Sequence, residues 1–286
     1  MELSQGHLTK NGKAGTDLDY SETITRKRGL FDRLMGRSPL SAVVAANQLI
    51  AIWGTQGGVG CSTITAILAK LLHQIGFTVL VIEAASTGGS LLRFMGRKPV
   101  TKGLDTISHT KERFNSELDS IKVNVVKGFT VIPRSGASYN AQWHWQEDEA
   151  RELYHFARRH AAFVLVDAGH ALNDAIGRIA LTEADHIVSV FRPTPVGLDS
   201  ATRFHEHCRF SGLKKNLIWV MNQAQRAGSK LEMEFLTGEE ITNCILWKHD
   251  MELFEQGASI PKSIQEETAD LLQQILSANS ARVFQN

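Results

Sequence analysis

The sequence predicts a three-layer α/β/α domain with a mostly parallel sheet between helices. Two observations carry this. From residue 48 onward, short apolar runs that are continuous rather than alternating recur between helical segments, as strands buried on both faces require. The first of these runs ends in a glycine-rich turn that opens a helical stretch, the strand–turn–helix order from which parallel sheets are built.

The elements follow in order. Leu49-Ile-Ala-Ile-Trp53 is the first strand, and Ser62 to Ile75 reads as the first helix. Thr78 to Glu83 is the next strand, with helical pieces near 88–96 and 104–115. Val123 to Val126 and Phe129 to Pro133 form a strand region, and 141–160, rich in Gln, Glu and Arg, reads as a long helix. Phe163-Val-Leu-Val-Asp167 is an apolar strand ending in an acid. His186 to Phe191, Leu217 to Met221 and Cys244 to Trp247 are further strands separated by helices, and 262–277 closes the domain as a helix.

Composition narrows the function classes. The 286 residues are 43% hydrophobic with a net charge of +1, which excludes wholesale disorder and a uniformly basic coat. Cys61, Cys208 and Cys244 lie too far apart for a metal knuckle or a disulfide scaffold, which points to a reducing, cytoplasmic compartment. The polar start does not read as a secretory signal, and the apolar run Pro39 to Trp53 is short for a membrane span.

Residues 1–47 read as a disordered arm, and 48–286 as the folded domain. Within the arm, Leu30, Phe31, Leu34 and Met35 give segment 25–37 one apolar helical face among five basic residues. Such a segment suits an anionic membrane surface or a partner protein. The seven basic residues of 1–47 leave 24 Lys plus Arg against 25 acids in 48–286. No basic run there offers DNA a surface, so DNA is not an expected partner.

The sharpest feature is Gly54-Thr-Gln-Gly-Gly-Val-Gly-Cys-Ser-Thr63. Between a strand and a helix it has the context of a phosphate-binding loop. Gly57, Gly58 and Gly60 let the backbone approach an anion, with the loop and helix N–H groups turned toward it. Ser62 falls where a hydroxyl ligates Mg²⁺.

These residues resemble the MinD/ParA family of deviant P-loop ATPases, whose loop reads Lys-Gly-Gly-x-Gly-Lys-Thr/Ser, in frame with Gln56 to Ser62. Thr78 to Gly96, Phe163 to Gly169, Phe191 to Leu198 and Trp219 to Asn222 fall in family order. The resemblance implies a P-loop NTPase fold binding ATP and Mg²⁺. It places Gln56, Gly57, Gly58, Val59, Gly60, Cys61, Ser62 and Thr63 on the phosphates, Asn222 on adenine, and Ser62 and Asp167 on the metal. It also implies a homodimer.

The chain departs from the pattern at Gln56 and Cys61, where the family has lysines, and at Ala85, where it has the water-positioning acid; Glu83 holds a neighbouring acidic position. Losing one preorganised electrostatic contact costs about 3 kcal/mol, roughly a hundredfold in rate. Weak ATP binding with little hydrolysis is therefore expected. The neutral loop resembles the CpaE/TadZ group. That likeness implies a positioning or scaffold role for a pilus, secretion or conjugation machine, in the cytoplasm or peripheral at the inner face of the membrane. The alternatives are an active ATPase using substitute residues, such as a Lys or Arg from elsewhere, and a partition-type ParA protein.

Three smaller signals complete the reading. Cys61 at a helix N-terminus suggests either a lowered thiol pKa or a small residue tolerated in place of Lys. His205, His207 and Cys208 offer too few ligands for zinc, and the two histidines read as surface residues. Trp143, His144 and Trp145 suggest either a partner contact or core packing at the start of the 141–160 helix.

Overall fold

The structure, a computed structural model, describes residues 47–283 apart from 87–88, 108–112, 136–144, 172–173, 214–216, 225–229, 232–233, 235–237, 239, 242 and 247–250. The arm with segment 25–37, together with Trp143 and His144, lies outside the described residues.

The strands are β1 (Gln48–Gly54), β2 (Val79–Glu83), β3 (Val123–Val126), β4 (Phe129–Ile132), β5 (Phe163–Gly169), β6 (His186–Phe191), β7 (Leu217–Ala224) and β8 (Asn243–Leu246). They form one eight-stranded sheet in the order β3-β4-β2-β5-β1-β6-β7-β8. All pairs are parallel except the β3–β4 edge hairpin.

Alternation along the central strands builds two cores. Leu49, Ala51 and Trp53 pack into one hydrophobic cluster, while Ile50 and Ile52 pack into the other. The first cluster is covered by α3 (Phe114–Ile121), α4 (Glu147–Arg158), α5 (Ala175–Glu183) and α6 (Pro195–Phe210). The second is covered by α1 (Cys61–Gln74), α2 (Leu91–Phe94), α7 (Met251–Glu255), α8 (Lys262–Glu267) and α9 (Ala269–Val283). The result is the three-layer α/β/α architecture that the continuous apolar runs predict.

Differences from the predicted elements have local causes. The piece expected at 104–115 is a turn at 104–106, where the Thr106 hydroxyl bonds the Gly103 carbonyl, and the helix begins at Phe114. The 141–160 helix starts at Glu147, because Gln146 and Glu149 form a reciprocal capping box. Trp145 packs edge-on against Phe114 in the core. The closing helix divides at Thr268, whose hydroxyl turns back onto the Ile264 carbonyl.

Strand order positions the site. From β1 the chain crosses through α1 to β2 on one side, whereas β6 and β7 lie on the other. The carboxyl end of β1, flanked by β5 and β6, is thus the switch point where ligands bind in open α/β sheets. Leu165 sits at the centre of β5 with no exposure, so Leu165→Ala should cost about 2–5 kcal/mol in urea denaturation. Phe210, 80% exposed, should tolerate the same change within about 0.5 kcal/mol.

Candidate functional site

The loop after β1 folds back tightly over its own start. A Cβ at Gly54 would lie 2.7 Å from the Cys61 sulfur and 2.9 Å from the Val59 side chain, so only glycine fits there. Gly58 (φ 72°) and Gly60 (φ 97°) take left-handed conformations. Val59 is buried beneath the loop, and the Thr55 amide bonds the Val190 carbonyl of β6 at 3.0 Å. Helix α1 then starts with no side-chain cap and no acid in its first turn, leaving its first amides to an anion.

The predicted phosphate-site residues come together. Gln56, Gly58, Val59, Gly60, Cys61, Ser62 and Thr63 line a cleft of about 660 Å³ with Ala85, Asp167, Gly169, His170, Arg192 and Gln223. Gly57 faces the His170 ring, which stands 3.5 Å from where its Cβ would be.

Ser62 donates its hydroxyl to Asp167 Oδ2 at 2.5 Å. The Asp167 Oδ1 atom is buried and has no hydrogen-bond partner among the described residues. Among those residues no cluster of three His, Cys, Asp or Glu side chains forms a protein-only metal cage. A hydroxyl, one carboxylate oxygen left without a partner and a neighbouring phosphate cradle fit Mg²⁺, which keeps several waters and shares its coordination with phosphates. Burial raises the Asp167 pKa to about 7; the Ser62 hydrogen bond opposes this and the nearby Glu83 charge adds to it.

Of the two readings of Cys61, the small residue tolerated in place of Lys fits its surroundings. Burial, followed by the Asp167 charge, raises its pKa well above the usual value, so the helix N-terminus does not make it a thiolate.

Asn222 is buried, and its side-chain amide donates to the Val59 carbonyl at 2.7 Å, tying β7 to the loop. The next residue, Gln223, has φ 60° where the β7–β8 register shifts, and this bulge aims it into the cleft. Gln56 accepts a 3.4 Å hydrogen bond from the Ser200 hydroxyl of α6.

Glu83, at the end of β2, is fully engaged. Its Oε1 accepts from the backbone amides of Gly89 (2.6 Å), Ser90 (2.9 Å) and Leu91 (2.9 Å), and its Oε2 accepts from that of Arg134 (3.1 Å). Ala85 packs against Gly169, whose Cβ position lies 3.0 Å from the Ala85 methyl.

Sequence reasoning did not single out Arg192, His170, Gln223 or Glu255, all of which line the cleft. For Arg192 a usable signal existed, since a cation ending a central strand falls at the carboxyl edge of the sheet. On α6, His207 is exposed and His205 half-buried, as expected of surface histidines. Cys208 is fully buried in the core with its pKa pushed up to about 12 by burial, and His205 stands edge-on to Trp219.

Residues 47–235 match the family model of the cellulose biosynthesis protein BcsQ. The chain belongs to the BcsQ family. Its fold is that of the ParA and MinD ATPases. A ParA family ATPase from Chlorobium tepidum superposes with a TM-score of 0.68 at 21% identity, covering 79% of this chain and 98% of that one. MinD from Aquifex aeolicus gives 0.63 at 18%, covering 80% and 97%. MinD from Pyrococcus horikoshii, solved with Mg-ADP, gives 0.61 at 16%, covering 81% and 95%. The ESX-1 secretion-associated protein EspI of Mycobacterium tuberculosis is 26% identical over 159 residues, 53% of this BcsQ-family chain. The chain spans only 22% of the length of that relative.

Two outcomes test this geometry. Gly60→Ala would force a Cβ to 2.3 Å from the Asn222 amide at a left-handed backbone position, and should cost about 2–4 kcal/mol in chemical denaturation. Asp167, with its pKa raised to about 7, is protonated in the folded state over a pH range where it ionises in the unfolded chain. Stability without metal should therefore fall as pH rises from about 4 through 7. Asp167→Asn should stabilise the fold at pH 8 without Mg²⁺ by up to about 4 kcal/mol, seen as a higher melting temperature, and have less effect at pH 5. Melting curves at the two pH values measure both effects.

Proposed function

We propose that this BcsQ-family chain is a nucleotide-binding scaffold that holds ATP with Mg²⁺, hydrolyses it little, and positions a membrane-associated cellulose-synthesis machine. One observation carries the reading: the cleft keeps its phosphate cradle and its Ser62–Asp167 pair but has no carboxylate at position 85. Glu83 does not replace it, because four backbone amides occupy its two oxygens.

Phosphoryl transfer depends on orienting the attacking group and stabilising transition-state charge. With Gln56 and Cys61 in the loop and Ala85 beside it, both are reduced. Binding is affected less, because the loop and α1 amides hold phosphates whatever the side chains. Ser62 and Asp167 would hold Mg²⁺, which supplies charge neutralisation when bound. A plasmid partition protein from Borrelia burgdorferi was solved with AMPPNP, and the Pyrococcus horikoshii MinD with Mg-ADP, in support of nucleotide at this site.

The family's association with cellulose biosynthesis favours that machine over the pilus machine of the sequence resemblance. A homodimer and a peripheral location at the inner membrane face, through segment 25–37, fit this role. The Aquifex aeolicus MinC:MinD complex shows that a protein of this fold can work through a partner. The near-equal charges of 48–286 disfavour the partition reading.

ATP binding and turnover measured side by side test the proposal. We expect Mg²⁺-dependent ATP binding, with turnover about a hundredfold below that of a ParA ATPase assayed alongside. Asp167→Ala should weaken the Mg²⁺-dependent binding about tenfold. Turnover at the ParA rate that disappears in Asp167→Ala would overturn the scaffold reading, as would absence of ATP binding.

A further inference from the structure

Arg192 follows Phe191 at the carboxyl end of β6 and lines the cleft. Among the described residues that line it, Arg192 is the one Lys or Arg, set against the acids Asp167 and Glu255. Its Nη2 donates to the Gly58 carbonyl at 2.5 Å, at the left-handed turn of the loop. Its Nε is buried and finds no hydrogen-bond partner among the described residues. No ion pair holds the guanidinium to an acid among those residues. Buried donors without acceptors are rare in native proteins, and a guanidinium with an unpartnered Nε–H in the lining of a phosphate cradle is complementary to an oxyanion.

The geometry points to Arg192 as the cation by which this chain holds the phosphates of its nucleotide, in place of the loop charges absent at Gln56 and Cys61. The assignment rests on the nucleotide-binding reading above and deepens it. The Gly58 carbonyl fixes one guanidinium nitrogen against the loop, so the group is oriented before ligand arrives and loses little freedom on binding. The charge comes from a strand of the same subunit, so phosphate binding does not require a second copy of the chain to complete the site. Arg192 is a binding group. It carries no carboxylate and does not restore the water-orienting group that Ala85 lacks.

The test is calorimetric titration of ATP with Mg²⁺ into the full chain and into Arg192→Gln, Arg192→Lys and the double variant Arg192→Gln with Cys61→Lys. Melting curves without nucleotide serve as the folding control. Loss of a charge-assisted contact should weaken ATP binding about tenfold or more in Arg192→Gln. The dependence of affinity on salt should flatten in the same variant. Arg192→Lys should bind more tightly than Arg192→Gln, and Lys at position 61 should recover affinity in the double variant by returning a cation to the loop. Equal ATP affinity in the parent and Arg192→Gln overturns the assignment. So does a loss that neither lysine recovers, which would make Arg192 only a strut for Gly58. If Arg192→Gln melts low, the comparison of the parent with Arg192→Lys at several salt concentrations decides, an unchanged affinity and slope supporting the charge role and a loss of affinity at unchanged slope overturning it. A parent chain that binds no ATP defeats the nucleotide reading itself, an outcome distinct from binding that ignores residue 192.

Discussion

The return of the loop over Gly54 is the constraint on which the site depends. Cys61 and Val59 approach that backbone so closely that any side chain at residue 54 would push the loop off the strand. Once the loop lies down, Val59 is buried, the Thr55 amide meets β6, and the Asn222 amide reaches Val59 from β7. Three strands of one sheet thus hold a short glycine-rich segment in place. The same fit sets Ser62 against Asp167 and leaves the α1 amides uncovered.

Holding a phosphate and cleaving it make different demands on this arrangement. The first needs backbone amides and positive charge, which already act on the bound reactant. The second needs groups that act more strongly on the transition state. The amides here belong to the backbone and persist through side-chain changes. The cleavage-specific group would have to stand at residue 85, where a methyl rests against Gly169. An acid introduced there would meet both a tight backbone contact and the buried Asp167.

What the sequence made legible was local. Continuous apolar runs marked the strands, the glycines of 54–60 marked the turn, and the apolar strand ending in Asp167 marked the acid that meets Ser62, because each needs only neighbouring residues. What it did not show depends on strand order. Arg192 is 134 residues from Gly58 in the chain, and only the placement of β6 beside β1 brings them together. Glu83 could be located but not interpreted, since its partners include Arg134 from another strand's end. Asn222 was legible as the end of a strand, whereas its bond to Val59, 163 residues away, was not. The sequence left two readings of Cys61, because helix position is visible in it and desolvation is not.

The engagement of Glu83 bears on how such a protein would keep time. In a nucleotide switch that cleaves its ligand, the lifetime of the loaded state is set by an internal chemical step, and the protein resets itself. Here the carboxylate at the end of β2 is committed to four amides and the position beyond it is a methyl. On the scaffold reading proposed above, a site of this kind would reset when its ligand leaves. Its occupancy would follow the surrounding nucleotide concentration instead of an internal clock, and any assembly built on it would last as long as the supply of nucleotide.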